Sequence, residues 1–334
     1  MAQSRRKGKP GLRAGRAMAY QPPQQEDIMR AFIFPGQGSQ AVGMGTALAD
    51  ASAVARALFE EVNDALGQNL SRLMAQGPIE ELTLTENAQP AIMANALATL
   101  RVAGISVEEA GFVAGHSLGE YSALCAAEAF DLATAARLLK LRGRAMQAAV
   151  PVGEGAMAAL LGLGLEAAQE VAAEAAQGEI CAVANDNDPS QVVVSGHKAA
   201  VERALDIAKA KGAKRALLLP VSAPFHSPLM EPAARAMEQA LAEVDLRAPL
   251  VPVYANVTAA PAEEPSELRS LLVQQVTGMV RWRESVAAMA EAGVTHFVEL
   301  GGKVLSPMVK RIAPDARTTS VVTMADIEAL AKEV

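Results

Sequence analysis

The apolar positions along the chain follow two kinds of pattern. An unbroken apolar run at 31–34 predicts a buried strand, helical periodicity follows near 51–67 and 86–103, a second run at 112–115 predicts another strand, and helical patterns return near 118–128 and 131–150. Strands separated by helix-length segments are the signature of an α/β fold. Between 154 and 220 the order changes to strand 156–161, helix 165–176, strands 180–184 and 191–195, helix 199–211 and strand 215–219. That order is βαββαβ, the split unit of a ferredoxin-like domain. Its middle strands are joined by Asn185-Asp186-Asn187-Asp188-Pro189, a run of turn formers that predicts the connecting turn. Beyond 222 the α/β alternation resumes, with strands near 252–254, 295–299 and 318–322. The expected fold is therefore α/β. A larger α/β-hydrolase-like domain with a parallel sheet, at 29–152 and 222–334, carries a smaller ferredoxin-like βαββαβ domain inserted at 153–221.

Residues 1–28 have no hydrophobic periodicity and are rich in Gly, Pro, Gln and basic side chains. They are expected to form a disordered N-terminal extension. Pro22, Pro23 and the early glycines spoil the amphipathic helix of an organelle transit peptide, and a translation start at Met29 explains the segment equally well.

Composition narrows the function. With 51% apolar and 20% charged residues, the chain can bury one large core, or one core and a satellite. Aromatics make up only 3%, which leaves no stacking platform for nucleic acid. The net charge of −7 hides an asymmetry, because the first 28 residues carry six cations against Glu26 and Asp27. The remainder is acidic, so an anionic partner must meet a local basic patch. The two cysteines, Cys125 and Cys181, stand in motif-free surroundings and build neither a disulfide framework nor a zinc site, which fits a reducing cytoplasm. No apolar run approaches the roughly 20 residues of a membrane helix.

Gly115-His116-Ser117-Leu118-Gly119 is a G-x-S-x-G set between a predicted strand and a predicted helix. Gly and Ser are common enough for the letters to arise by chance, so this setting carries the reading. A tight turn there exposes the Ser117 hydroxyl and places the next amide at a helix N-terminus, where an oxyanion can be held. A serine needs a base, and the chain has four histidines. His116 sits inside the elbow and reads as structural, His197 as a surface or capping residue, and His296 as packed within a strand. His226 lies in Ala223-Pro224-Phe225-His226-Ser227-Pro228, a proline-bracketed loop able to hold an imidazole rigidly, although a loop histidine without a role remains the alternative at this point. Phe34-Pro35-Gly36-Gln37-Gly38-Ser39-Gln40 offers backbone amides after the first strand and lacks the spacing of a nucleotide loop.

These segments, together with GHSLGEYSAL at 115–124, Leu141-Arg142-Gly143-Arg144-Ala145-Met146-Gln147 and APFHSPLM at 223–230, occur in an order that resembles the malonyl-CoA:acyl carrier protein transacylases from about residue 29 to the C-terminus. The resemblance implies that Ser117 is acylated, that His226 is its general base, and that the backbone amides of Gln37 and Leu118 form the oxyanion hole. It implies a dyad without a third acid, the imidazole being oriented by the carbonyl of Gln275. Arg142 then grips the free carboxylate of the malonyl group, a task suited to a planar guanidinium, while Lys140 and Arg144 are expected to be solvated. Phe225 is expected to crowd bulkier acyl groups, Asn185 and Asn187 to line the cleft, and Asp186 and Asp188 to serve only the turn. Carrier docking falls to Lys303, Lys310 and Arg311, or to Lys209, Lys211, Lys214 and Arg215. The segment Glu299-Leu300-Gly301-Gly302-Lys303 departs from the family in lacking the proline that usually stands between the glycines.

The implied reaction moves a malonyl group from malonyl-CoA through a malonyl-serine to the phosphopantetheine thiol of acyl carrier protein, supplying fatty-acid elongation. It needs no metal or redox cofactor, coenzyme A being part of the substrate, and the family resemblance implies a monomer. The alternatives are a standalone acyltransferase of a polyketide synthase, a serine esterase or thioesterase, and an inactive scaffold. The missing triad acid and the presence of Arg142 oppose hydrolysis of neutral esters.

Overall fold

The computed structural model describes residues 28–221 and 223–333, so the extension expected at 1–28 lies, except for Ile28, outside the described residues. Among the described residues ten strands form two sheets: β1 (Arg30–Phe34), β2 (Phe112–Gly115), β3 (Gly155–Leu161), β4 (Cys181–Asp188), β5 (Gln191–His197), β6 (Arg215–Leu218), β7 (Val253–Ala255), β8 (Ala260–Ala262), β9 (His296–Leu300) and β10 (Arg317–Val321). The larger sheet has the order β10-β9-β1-β2-β7-β8. It is parallel throughout except for the antiparallel β7–β8 hairpin.

Its central strands are apolar on both faces because helices cover both. Along β1, Phe32 and Phe34 point into one core while Ala31 and Ile33 point into another. Each buried phenylalanine contributes about 2–3 kcal/mol by leaving water. Because β1 and β2 are parallel and in register at Phe34 and Gly115, the segments that follow them leave the same edge of the sheet side by side. Ligand sites form at such carboxyl ends.

The second sheet, β4-β5-β3-β6, is antiparallel, with the helices Leu165–Ala176 and Lys198–Ala210 packed on it through Val171, Val201 and Ala204. The mixed α/β class and the βαββαβ order are those predicted from the pattern. Among the described residues no helix is long and apolar enough to cross a membrane.

One local prediction fails. Asn185-Asp186-Asn187-Asp188 is not a turn but the second half of β4, and the chain turns only at Pro189 and Ser190. These poor strand formers are held extended by partners on the larger sheet's side. Asp186 N donates to Val280 O at 3.0 Å, and Val280 N donates to Ala184 O at 2.9 Å. The buried carboxylates of Asp186 and Asp188 pair with Arg283 and Arg311, each at 2.8 Å. Tertiary partners thus override local propensity, and the two aspartates have a role well beyond a turn.

Candidate active site

The elbow is built by sterics. Ser117 lies in the left-handed region with φ 55°, a strained conformation for a side chain with a Cβ. A Cβ added at Gly115 would strike the backbone of Gly119, and one at Gly119 would strike the backbone of Phe34. Both flanking glycines are therefore needed for strand, turn and helix to meet. Behind the turn, Asn256 accepts from Ser117 N at 2.8 Å through Oδ1 and donates to Gly115 O at 2.7 Å through Nδ2.

His226 also adopts a left-handed conformation, with φ 55°. Its loop is closed by Ser227 Oγ donating to Pro224 O at 2.7 Å. The imidazole Nδ1 faces two carbonyls, Gln275 O at 2.9 Å and Gly278 O at 3.2 Å. Carbonyls only accept, so the proton sits on Nδ1 and Nε2 is left free to accept from the Ser117 hydroxyl at 2.7 Å. Burial, and then the nearby Arg142 cation, push the imidazole down to about 3, against the opposing pull of the Gln275 carbonyl. The resting imidazole is neutral.

Arg142 projects from the helix Leu132–Ala148, which starts at an Asp131 cap accepting from Thr134 N at 2.6 Å. Only 1% of the residue is exposed. Its guanidinium donates to Gln89 Oε1 and Gln275 Oε1, each at 2.8 Å, and to Ser117 Oγ at 3.2 Å, and it lies over the Tyr121 ring. Its Nε has no partner, and among the described residues no carboxylate forms an ion pair with it. Burial lowers its pKa from the ordinary value, with Tyr121 and Glu120 opposing. A buried cation held only by neutral acceptors is set up to receive an anion. Lys140, predicted to be solvated, is instead buried and donates to Gln68 Oε1 at 2.7 Å and Asn87 Oδ1 at 2.8 Å, because it shares the helix's inner side. Arg144 does face solvent and pairs with Glu86.

Ser117, His226, Arg142, Gln37, Leu118, Phe225 and Asn185 all line one cavity of ≈ 270 Å³ between the two sheets. Gln275 stands behind it, and Asn187 is turned away to meet His116 Nε2 at 2.8 Å, tying the small sheet to the elbow. Burial pushes the His116 imidazole below its ordinary value, and the ring stays structural. His197 Nδ1 accepts from Ile180 N at 2.9 Å, and His296 lies against Thr319 Oγ1 at 2.8 Å. Of the basic docking candidates, Arg311 is engaged by Asp188, Lys211 by Glu170 and Glu174, and Lys209 by Asp206.

Sequence reasoning missed Gln89, Thr85, Asn256 and Glu120. Gln89 Nε2 donates to Thr85 Oγ1, which donates in turn to Gln37 Oε1, each at 2.9 Å, so Arg142 and the glycine loop are linked through a helix. The available signal was polar residues inside a helix, Thr85–Ala103, too apolar in its surroundings to leave them exposed.

The acyl transferase domain family matches residues 31–313. The chain is 46% identical over 306 residues to the malonyl CoA-acyl carrier protein transacylase of Escherichia coli K12, covering 91% of this chain and 99% of that protein. Among solved structures it is similar to the acyl-carrier-protein-S-malonyltransferase of Bartonella henselae, with a TM-score of 0.90, 52% identity, and coverage of 92% of this chain and 99% of that one. It is also similar to a malonyl-transacylase solved in complex with its type II PKS acyl-carrier protein, with a TM-score of 0.88, 42% identity, and coverage of 92% and 100%.

Proposed function

Because the chain belongs to the acyl transferase domain family, and within it to the malonyl CoA-acyl carrier protein transacylases, we propose that Ser117 carries the malonyl group from malonyl-CoA to the phosphopantetheine thiol of acyl carrier protein. The observation that carries this reading is the convergence of a neutral imidazole and a buried guanidinium on one hydroxyl, Ser117 Oγ. The imidazole supplies a base, and the guanidinium supplies a counter-ion that a neutral acyl group has no use for.

In the first half-reaction the free carboxylate of malonyl-CoA pairs with Arg142, and Ser117 Oγ attacks the thioester carbon as its proton passes to His226 Nε2. The oxyanion is held by the amides of Gln37 and Leu118. Collapse breaks the carbon–sulfur bond, and the imidazolium returns its proton to the departing coenzyme A thiolate. In the second half the carrier thiol gives its proton to His226, attacks the malonyl ester, and Ser117 leaves with that proton. The Gln275 carbonyl holds the imidazole in one tautomer, the part that a carboxylate plays in a triad. All groups assigned here are side chains and amides of this chain, with coenzyme A entering as part of the substrate.

Incubation with malonyl-CoA, peptide mass spectrometry, and subsequent addition of phosphopantetheinylated carrier test the reading. An adduct on Ser117 that moves to the carrier is expected. An adduct that decays only to malonate makes the protein a hydrolase. A polyketide carrier is the second reading, favoured by the likeness to the malonyl-transacylase bound to such a carrier, and transfer rates to carriers of the two pathways decide between them. We place the reaction in the cytoplasm. Burial pushes the Cys125 thiol up to about 12 and the Cys181 thiol up to about 11, so neither is a thiolate at neutral pH.

A further inference from the structure

The helix that follows the elbow, Gly119–Ala126, carries a carboxylate, Glu120, in its first turn. Glu120 is fully buried. Among the described residues it has no ion-pair partner, so its place in the core has to be explained by what it holds. Its Oε2 accepts from Gln275 Nε2 at 2.9 Å and from Asn256 N at 3.0 Å. Its Oε1 has no partner, so all of its hydrogen bonding goes through these two donors.

Both partners reach the reacting groups. Asn256 accepts from Ser117 N and donates to Gly115 O, and so holds the elbow. The Gln275 carbonyl accepts from His226 Nδ1, its Oε1 accepts from Arg142 at 2.8 Å, and its Nε2 also donates to Ser117 O at 2.9 Å. A carboxamide presents oxygen and nitrogen in nearly the same shape, and its neighbours decide which way it lies. Arg142 only donates and the Glu120 oxygen accepts, so the two together leave one orientation for Gln275.

We propose, on the reading that malonyl transfer is the reaction, that Glu120 is a positioning residue: one carboxylate oxygen holds Gln275 and Asn256, and through them sets Arg142 and His226 against Ser117. Without that oxygen two buried N–H groups lose an acceptor. Gln275 then turns or withdraws, and the first group released is the guanidinium that depends on its Oε1.

The test compares Glu120→Ala, Glu120→Asp and Glu120→Gln with the parent protein. Each is normalised by titrating the reactive serine with a sulfonyl fluoride, and kcat/KM is measured for malonyl-CoA and acetyl-CoA. Acetyl has no free carboxylate, so a protein that is merely less stable loses both substrates together and keeps their ratio. Displacement of Arg142 lowers the malonyl-to-acetyl ratio by about tenfold or more in the Ala and Asp variants, as expected for shifts on the order of 1 Å in a binding group. Glu120→Gln keeps an acceptor oxygen where Oε2 stands and restores most of the ratio. Should the alanine variant not fold, the Asp and Gln pair decides. An unchanged ratio in Glu120→Asp, or a Gln variant as unselective as the Asp one, overturns the assignment. The parent is measured first, so failure of malonyl transfer itself appears there, and failure of the Glu120 inference appears only in the variants.

Discussion

Arg142 Nη2 donates to Ser117 Oγ at 3.2 Å, the same oxygen that reaches His226 Nε2 at 2.7 Å. The cation assigned to the substrate's carboxylate therefore touches the nucleophile before any substrate arrives. It favours an alkoxide on Ser117 but disfavours an imidazolium on His226, whose pKa it helps to depress. A carboxylate bound to Arg142 offsets that charge in a site sheltered from water, where such effects are large. On the proposed reaction, binding a dicarboxylic acyl group at Arg142 and making His226 a stronger base are one event.

Removing the guanidinium separates the two substrates. Arg142→Ala is expected to lower kcat/KM for malonyl-CoA by about 10²–10³-fold, the loss of a buried charge-assisted pair, while acetyl-CoA changes far less. Initial rates with the two thioesters check this. An equal fall for both would assign Arg142 to the fold and not to the acyl carboxylate.

The acylation step should be insensitive to pH where histidine ordinarily titrates. His226 is held down to about 3 from 6.5, so the neutral form persists throughout the range in which the protein is assayed. Burial also pushes Glu120 up to about 7, so the profile is read in Glu120→Gln, which has no carboxyl there, and stopped-flow acylation by malonyl-CoA in that variant is expected to stay level from pH 8 to pH 5. Stability carries the opposite signature. A lowered folded pKa contributes stability that is present above 6.5 and lost as pH falls toward 3. About 2 kcal/mol is expected to go between pH 6.5 and 5, and to be missing from that decline in His226→Asn, measured by urea unfolding. A rate that halves near pH 6.5 would contradict the burial argument.

Much of this site was legible before the fold was known, because its constraints are local. Gly115 and Gly119 flank Ser117 for steric reasons that leave glycines in the sequence, and prolines bracket His226. Arg142 stood out only through resemblance, since a helical arginine carries no mark of burial. Glu120, Gln89 and Asn256 were opaque because their partners are distant in the chain: Glu120 meets Asn256 and Gln275 across 136 and 155 positions. The misread turn at 185–188 has the same cause. Composition there favours a turn, and the arginines that make it a strand lie at 283 and 311.

Those arginines give a test of how the two sheets are held together. Burial pushes the Asp186 carboxyl above its ordinary value, and Arg283 opposes that shift without cancelling it. Arg283→Ala therefore leaves a buried carboxylate without its counter-ion. It is expected to cost about 1–3 kcal/mol at pH 7, less than the loss of a fully buried pair, because Arg283 reaches solvent. A folded pKa that is raised gives stability present below the unfolded value and lost as pH rises through the folded one, so the deficit should shrink toward pH 4 as Asp186 takes up a proton. Asp186→Asn, which needs no counter-ion, should cost less than Arg283→Ala. Urea unfolding of both variants at pH 4 and pH 7 checks the order, and a deficit independent of pH would mean that packing of the Arg283 stem, not its charge, joins the sheets.

Phe225, next to His226 in the chain, is expected to set selectivity within dicarboxylic acyl groups. Phe225 is 8% exposed and lines the cavity that holds Ser117, Arg142 and His226. With the acyl carboxylate fixed at Arg142 and the carbonyl carbon at Ser117, the carbon between them has little freedom, and a methyl group on it must find room against the cavity wall. Phe225→Ser removes the ring and opens that wall. The ratio of kcat/KM for methylmalonyl-CoA to malonyl-CoA is expected to rise by about tenfold, the scale on which one methyl group in a pocket is discriminated. Malonyl-CoA itself should lose only modestly, since neither its carboxylate nor its thioester depends on the ring. Steady-state rates with the two substrates decide the matter, and an unchanged ratio would move the selectivity determinant to another wall of the cavity, with Met146 and Met157 the next side chains to shorten.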